Sequence, residues 1–382
     1  MKKIYGLILS FLVLTGCWDR KEVNDLAFVT MTGYDKVDEN QFRTSVQIPL
    51  PGAMGGAGST GGGGGTQGGP FYIDSEIGRN IRESNDLLQR RMSRKTNFAH
   101  RRVIIIGEEL AKNGFKKTLD VLLDQPQSRI TSYVLLTKGE ALQILNAEPH
   151  LEKLSSEALR ELSKENEGVN VKNVLNDIWR PGKDPVIPLI INNETENGTS
   201  KNKKKEAQLE GYAILREDKL IFFTNSEETI GAQFLLNKKN HKNYTFSVEE
   251  KGEVNVHFEK VKNKVSYKLV NGKPTFTITF NVGASIMQNE PNLELNNQET
   301  YDQVKKSLES SIQKQVLALL NHSKSEGIDV YGLGWYLFRH ENKLWEMNLK
   351  ENWRETLKEL EVKVKVRSKI TRSINPGINI KE

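Results

Sequence analysis

Apolar positions along this chain follow two rhythms, and the switches between them predict its elements. Residues 103–106 form an unbroken apolar run of strand length that ends at Gly107, and 132–136 read as a second strand. Upstream, 26–32 and 42–48 read as a strand pair turning at Gly33-Tyr34-Asp35. From Asp74 the period lengthens, so that Ile77, Ile81, Leu88 and Met92 share one helical face with Arg79, Arg82 and Glu83 away from it. Glu108 opens another helical stretch reaching Leu123. Further helices are expected around Ala141, Leu159 and Val174.

The second half returns to a period of two. Residues 209–215 and 220–224 flank Arg216-Glu217-Asp218-Lys219 as a hairpin, and Ser226 is placed to cap a helix ending near Leu236. Strands are expected at 244–248, 254–261, 265–270 and 275–282, with Asn271-Gly272 as a hairpin turn. Val304, Leu308, Ile312, Val316 and Leu319 then recur at helical spacing. The last strand alternates Val362, Val364 and Val366 with Lys363, Lys365 and Arg367. Most of these stripes are core. Strands and helices interleaved in this way predict an α/β (mixed α+β) fold of three consecutive domains, each a mixed or antiparallel sheet packed with helices.

Two polar stretches punctuate the pattern. Residues 52–69 are nearly all glycine with Ser, Thr, Ala and Gln, and so have no apolar surface to bury; they read as a mobile loop. Gly56-Ala57-Gly58-Ser59-Thr60-Gly61 within it spells a dinucleotide fingerprint, but more glycine follows where that motif needs a helix. Residues 192–205 are Asn- and Lys-rich and read as a linker; without interleaved aromatics, Lys201, Lys203, Lys204 and Lys205 make no nucleic-acid patch. The expected division is a signal peptide at 1–16 and an N-terminal α/β domain at 17–191 containing the glycine loop. A linker at 192–207 follows, then a small middle hairpin–helix domain at 208–252. The C-terminal domain, 253–382, holds a meander, the long helix and the last strand.

The N-terminus decides the compartment. Lys2-Lys3 precede about ten apolar residues, too few to span a bilayer but right for a secretory signal. Thr15-Gly16 directly before Cys17 read as a bacterial lipobox, which predicts lipidation of Cys17, palmitate included. Two acyl chains on one residue anchor stably where one is marginal. Cys17 is the sole cysteine, so intramolecular disulfides and multi-thiolate zinc sites are excluded. The 382 residues carry a formal charge of +6, which falls to +4 when Lys2 and Lys3 leave with the signal; nucleic acid is not an expected partner.

No catalytic, cofactor-binding or metal-binding residues emerge. The six histidines are scattered and none forms an i, i+4 pair. Glu108-Glu109 and Glu227-Glu228 sit at expected helix starts, where acids favour the helix dipole. His100-Arg101-Arg102 reads as a charged rim at a strand entrance. Aromatics concentrate at 331–338 and beyond. Tyr331, Trp335, Trp345 and Trp353 are therefore the candidate partner contacts, with a core role the expected fate of most such rings.

Four segments carry a resemblance: Gly16-Cys17-Trp18-Asp19-Arg20-Lys21-Glu22-Val23; His100 through Val103-Ile104-Ile105-Ile106-Gly107 to Ala111; Gly211-Tyr212-Ala213-Ile214-Leu215 with Asp218-Lys219-Leu220; and Asp329-Val330-Tyr331-Gly332-Leu333-Gly334. In this order the chain resembles the Ger(x)C family, the lipoprotein C subunits of spore germinant receptors. The resemblance implies a membrane-anchored lipoprotein on the outer face of the spore inner membrane. It would be held in the lipid bilayer through the acylated Cys17 and act with integral membrane A and B subunits to trigger germination. It also implies three α/β domains and neither catalysis nor a cofactor. Two other readings share some features: a solute-binding lipoprotein of a transporter, and an envelope hydrolase, for which no nucleophile or metal site is found.

Overall fold

The structure, a computed structural model, describes residues 22–371 except 51–68, 125–126, 148, 150, 167, 195–204, 238–241 and 271. Cys17, nearly all of the glycine stretch at 52–69 and Lys201, Lys203 and Lys204 lie outside the described residues.

The first half supplies strands Leu26–Phe28 (β1), Met31–Asp38 (β2), Gln41–Pro49 (β3), Phe71–Gly78 (β4), Lys95–Asn97 (β5), Val103–Ile106 (β6), Tyr133–Thr137 (β7) and Val186–Glu194 (β8). Its helices are Ile81–Gln89 (α1), Glu108–Asn113 (α2), Lys116–Leu123 (α3), Ala141–Leu145 (α4), Ser155–Glu165 (α5) and Val171–Trp179 (α6). Strands Lys205–Arg216 (β9) and Lys219–Phe223 (β10) complete an eight-stranded sheet in the order β10-β9-β8-β7-β6-β2-β3-β4. β1 and β5 form a separate parallel pair.

The centre of the large sheet, β2, β6, β7 and β8, is parallel, and antiparallel hairpins extend it on both sides. Its apolar runs are continuous because both faces are covered. Ile104 and Ile106 meet Leu110, Phe115, Leu119 and Val174 on one face. Val103 and Ile105 meet Ala141, Ile144, Leu145 and Leu159 on the other.

Three expectations change here. The turn expected at 33–35 lies inside β2, and the chain turns instead at Glu39-Asn40. Asp35 is tolerated in a buried strand because its carboxylate accepts the N–H groups of Ala141 (2.7 Å) and Leu142 (3.3 Å) at the start of α4. The helix expected from Asp74 begins at Ile81: 71–78 pair antiparallel with β3, and the Asn80 side chain caps α1 by accepting from Glu83 N (2.9 Å). The helix expected at 108–123 breaks at Gly114, whose φ of +97° suits glycine.

The polar stretch at 192–207 joins two strands of one sheet. Asn192, Asn193 and Glu194 pair with Ala207, Glu206 and Lys205. The residues expected as a middle unit, 208–252, are shared between two layers. Their hairpin β9–β10 belongs to the large sheet, while helix Ser226–Leu235 (α7) and strand Asn243–Val248 (β11) pack with the C-terminal elements. Asn225, not Ser226, caps α7 in a capping box with Glu228.

The C-terminal elements are strands Gly252–Val270 (β12), Lys273–Asn289 (β13) and Val362–Thr371 (β14) and helices Gln298–Ser325 (α8), Leu333–His340 (α9) and Trp353–Glu359 (α10). The two strands expected at 254–261 and 265–270 are the single long β12, interrupted only by shifts of register. The second sheet runs β11-β12-β13-β14, with β14 parallel to β13. Its inner face carries Val256, Phe258, Ile278, Phe280 and Val364 against Val304, Leu308, Ile312, Val316 and Leu319 of α8. Val186, Tyr212 and Ile214 of the large sheet belong to this same core, so the two sheets share buried apolar surface. Among the described residues no helix is long and apolar enough to cross a membrane.

Because β8 and β9 flank 195–204, trypsin cutting at Lys201, Lys203 or Lys204 should leave two pieces that co-elute on gel filtration under native conditions. Separation of the pieces without denaturant would contradict the hairpin.

Candidate functional site

The aromatic segment singled out in the sequence lies at the joint between the two halves. Its geometry starts from a turn, Pro181-Gly182-Lys183-Asp184, between α6 and β8. Gly182 has φ +63°, and a Cβ there would stand 2.5 Å from the Cα of Gly334 and 2.7 Å from the Trp345 ring. Only glycine permits this approach. Trp335 N–H donates to the Gly182 carbonyl (3.1 Å), and Lys183 Nζ donates to the Val330 carbonyl (3.0 Å).

Two aspartates close the joint. The wholly buried Asp329 carboxylate accepts three backbone N–H groups, from Gly332 (2.7 Å), Leu333 (2.9 Å) and Gly334 (2.8 Å). Those bonds satisfy donors at the start of α9 and hold Gly332 in the left-handed region, at φ +86°. Asp329 and Asp184 are joined twice. Asp329 N–H donates to Asp184 Oδ2 (2.9 Å), and Asp184 N–H donates to the Asp329 carbonyl (3.0 Å). The guanidinium of Arg354 on α10 then bridges both Asp184 oxygens (3.2 and 3.3 Å), the Gly327 carbonyl (3.0 Å) and Glu217 (3.3 Å). Burial raises the Asp329 carboxyl to about 6, opposed by its three N–H donors and by Lys183.

Beside this network runs a groove of about 520 Å³ lined by Trp179, Arg180, Lys183, Lys350 and the edges of Trp345 and Trp353. The four aromatics proposed as contacts divide here. Trp345 and Trp353 are only 2% and 5% exposed, their rings 5.3 Å apart, packed with Phe276, Leu337, Leu349 and Leu357. Burial leaves these two almost no area for a partner, so they are core. Tyr331 and Trp335 are half-buried; Trp335 stacks on Phe338 (5.2 Å) with the Arg180 guanidinium 5.5 Å from its ring centre.

The remaining charged motifs have structural partners. Glu108 and Glu109 both pair with Lys112 (2.8 and 2.9 Å), Glu227 pairs with Lys314 (2.7 Å), and Glu228 lies 2.7 Å from His322 Nδ1. Arg101, expected on a charged rim, is buried. It donates to Ser128 Oγ (3.0 Å) and Tyr34 Oη (3.4 Å) and lies over the Phe98 ring. Among the described residues no group of three His, Cys, Asp or Glu side chains is placed to hold a metal. The sequence reading missed Asp184, Arg354 and Gly182; the Pro-Gly-Lys-Asp-Pro turn at 181–185 was the signal for the first and last, while nothing local marks Arg354.

Comparison with known proteins gives a consistent result. Residues 19–191 match the family described as spore germination protein N-terminal domain, and 210–374 match the spore germination B3/GerAC-like C-terminal family. The putative spore germination protein YfkR of Bacillus subtilis (strain 168) is 34% identical over 370 residues, 95% of each chain. Spore germination protein KC of the same organism is 28% identical over 402 residues, covering 96% of this chain and 94% of its own. The crystal structure of the GerBC protein superposes with a TM-score of 0.53 at 16% identity, covering 89% of this chain and 96% of that one, a likeness of fold.

Gly182→Ala should destabilise the chain by about 1–3 kcal/mol, read as a lower urea midpoint, because the methyl group needs the Gly334 backbone to move. Asp329→Asn tests the buried carboxyl. With its pKa raised from 3.8 to about 6, the native state holds a proton between about pH 4 and 6 that the unfolded chain has released. The raised pKa therefore contributes stability that is fully present below about pH 4 and lost as pH rises through 6. The unfolding free energy of the wild type should fall relative to that of the variant by up to about 3 kcal/mol between pH 4 and 7. A pH-independent difference would refute this assignment.

Proposed function

The chain belongs to the Ger(x)C family of spore germination proteins, and on that premise we propose that it is the non-enzymatic lipoprotein subunit of a nutrient germinant receptor. In this reading Cys17 carries the acyl anchor, and the folded chain stands on the outer face of the spore inner membrane. It acts there by contact with integral membrane A and B subunits to trigger germination. One observation carries the proposal. The similarity to a putative spore germination protein runs through 95% of both chains, so the whole architecture is shared rather than a single module. The lipobox at Thr15-Gly16-Cys17 supports the anchor.

Tyr331 and Trp335 are the aromatic contacts retained in this proposal, since both are half-buried and Trp335 lies against Arg180 at the edge of the groove. Interfaces favour such residues because they join a large apolar face to a polar tip.

Crosslinking from this chain in dormant-spore membranes should recover two integral membrane subunits, and Cys17→Ala should abolish labelling of the chain by fatty acid. Trp335→Ala should weaken germination at unchanged thermal stability and abundance, whereas Trp345→Ala and Trp353→Ala should each cost about 3–5 kcal/mol of stability. Tight binding of amino acids or sugars by the purified chain, with no membrane partner recovered, would favour a solute-binding lipoprotein instead.

A further inference from the structure

Among the described residues the second sheet has one covered face and one open face, and their chemistries differ. Along β14, Val364, Ser368 and Ile370 point into the core while Lys363, Lys365, Arg367 and Lys369 are exposed. Register carries the same division across the sheet. Lys365 stands beside Thr279, which stands beside Lys264; Arg367, Asn281 and Lys262 form the next rung, and Lys369, Gly283 and Lys260 the one after. Each rung is therefore cation, small neutral residue, cation.

Adjacent strands lie about 4.8 Å apart, so the two basic rows are about 10 Å apart across a shallow neutral floor. Ion pairs near this end of the sheet use other lysines, Lys363 with Glu361 (3.1 Å) and Lys273 with Glu359 (3.9 Å). None of the six rung cations forms an ion pair among the described residues. Six like charges held this close repel one another unless anions approach them.

The end of the β12–β13 hairpin adds an independent feature. Leu269 and Val270 are 48% and 55% exposed, although an apolar pair would ordinarily be buried, and Lys268 and Lys273 flank them. An apolar tip flanked by lysines suits the boundary between headgroups and acyl chains, where the lysine stems lie along the hydrocarbon and the ammonium groups reach the phosphates.

We propose that the open face of this sheet, together with its hairpin tip, rests on the surface of a bilayer containing anionic phospholipid. The cations are spread over a sheet face rather than gathered in a pocket. Five of the six are lysines, point charges that suit a field of phosphates better than bidentate recognition of one carboxylate. An exposed apolar tip has a place in a bilayer and none in an acidic peptide groove. This contact is separate from the acyl anchor proposed at Cys17 and is tested without it.

The test uses residues 18–382, the mature chain without its acylated cysteine, which contains every described element. It should sediment with vesicles of phosphatidylglycerol mixed with phosphatidylcholine and not with phosphatidylcholine alone. Binding should be lost as salt rises from about 0.1 M to about 1 M, where the screening length falls from about 10 Å to about 3 Å. Replacing Lys262, Lys264, Lys365 and Arg367 together by Gln should weaken partitioning about a hundredfold or more, at about five-fold per cation. An unchanged melting temperature would show that this variant is folded. Because Cys17 is absent, Val270→Cys provides a unique thiol, and an environment-sensitive dye there should shift to the blue on anionic vesicles and not on neutral ones.

Absence of sedimentation would overturn the proposal, leaving the lysines as guards against edge-to-edge pairing or as a docking face for an acidic protein. Binding that survives the four Gln substitutions would overturn it equally, since another surface would then be responsible. Should the fourfold variant unfold, the salt titration and the dye at residue 270 decide the matter on an otherwise unaltered face. Failure of fatty-acid labelling at Cys17 would leave all of these outcomes unchanged.

Discussion

A carboxylate taken out of water must be fully satisfied, and Asp329 meets that demand in a way that fixes the relation between the two halves of the chain. Its oxygens hold three consecutive backbone N–H groups, which sets the entry angle of α9. Its own backbone is clasped by Asp184, from the loop leading into the large sheet. Arg354 completes the arrangement from α10, so segments more than a hundred residues apart converge on two acids. The close approach of Gly182 and Gly334 follows, because hydrogen bonds this short leave no room for a side chain between the loops. Losing one partner here would leave a buried charge or donor uncompensated, which costs more than the same bond on a surface.

The sequence revealed elements whose burial is simple. β6 and β7 were legible because a short apolar run covered on both faces looks the same from either side. The long α8 was legible because Val304 through Leu319 face a single sheet. Elements placed by distant partners were not. β4 contains Asp74, Ser75 and Glu76 in a strand half-open to solvent, so its apolar positions mimicked a helical face. Asp35 and Gly33 looked like turn residues, yet one caps α4 from within β2 and the other leaves room for Leu145 and Ala141. Residues 192–207 resembled a linker because hairpin ends near solvent and true linkers share a polar composition.

The candidate site was legible to the same degree and for the same reason. The Asp329-to-Gly334 run was conspicuous, and the structure gives each of its ends a task. Trp345 and Trp353 looked equivalent to Tyr331 and Trp335 in the sequence. Whether an aromatic ring meets solvent depends on what the rest of the chain lays over it, here Phe276 and the leucines of α9 and α10. Arg101 makes the same point in reverse: a charged triplet ahead of a strand suggested a rim, but Tyr34 and Ser128 draw its guanidinium inward.

The open basic face has a topological origin. A strand parallel to its neighbour needs a crossover connection, and the one between β13 and β14 contains α8, α9 and α10. All three helices lie on the inner face, where Val304 to Leu319 and then Leu333, Trp345 and Trp353 cover it from one end to the other. The β11–β12–β13 meander, whose strands are only a few residues apart in the chain, brings no helix to the opposite side. A strict alternation in β14 is then required, because a slip of one residue would bury Lys365 and Arg367 and expose Val364. The same six residues, 362–367, thus fix the register of the strand through their valines and give the uncovered face its charge through their cations. The charge of that face matches an anionic partner.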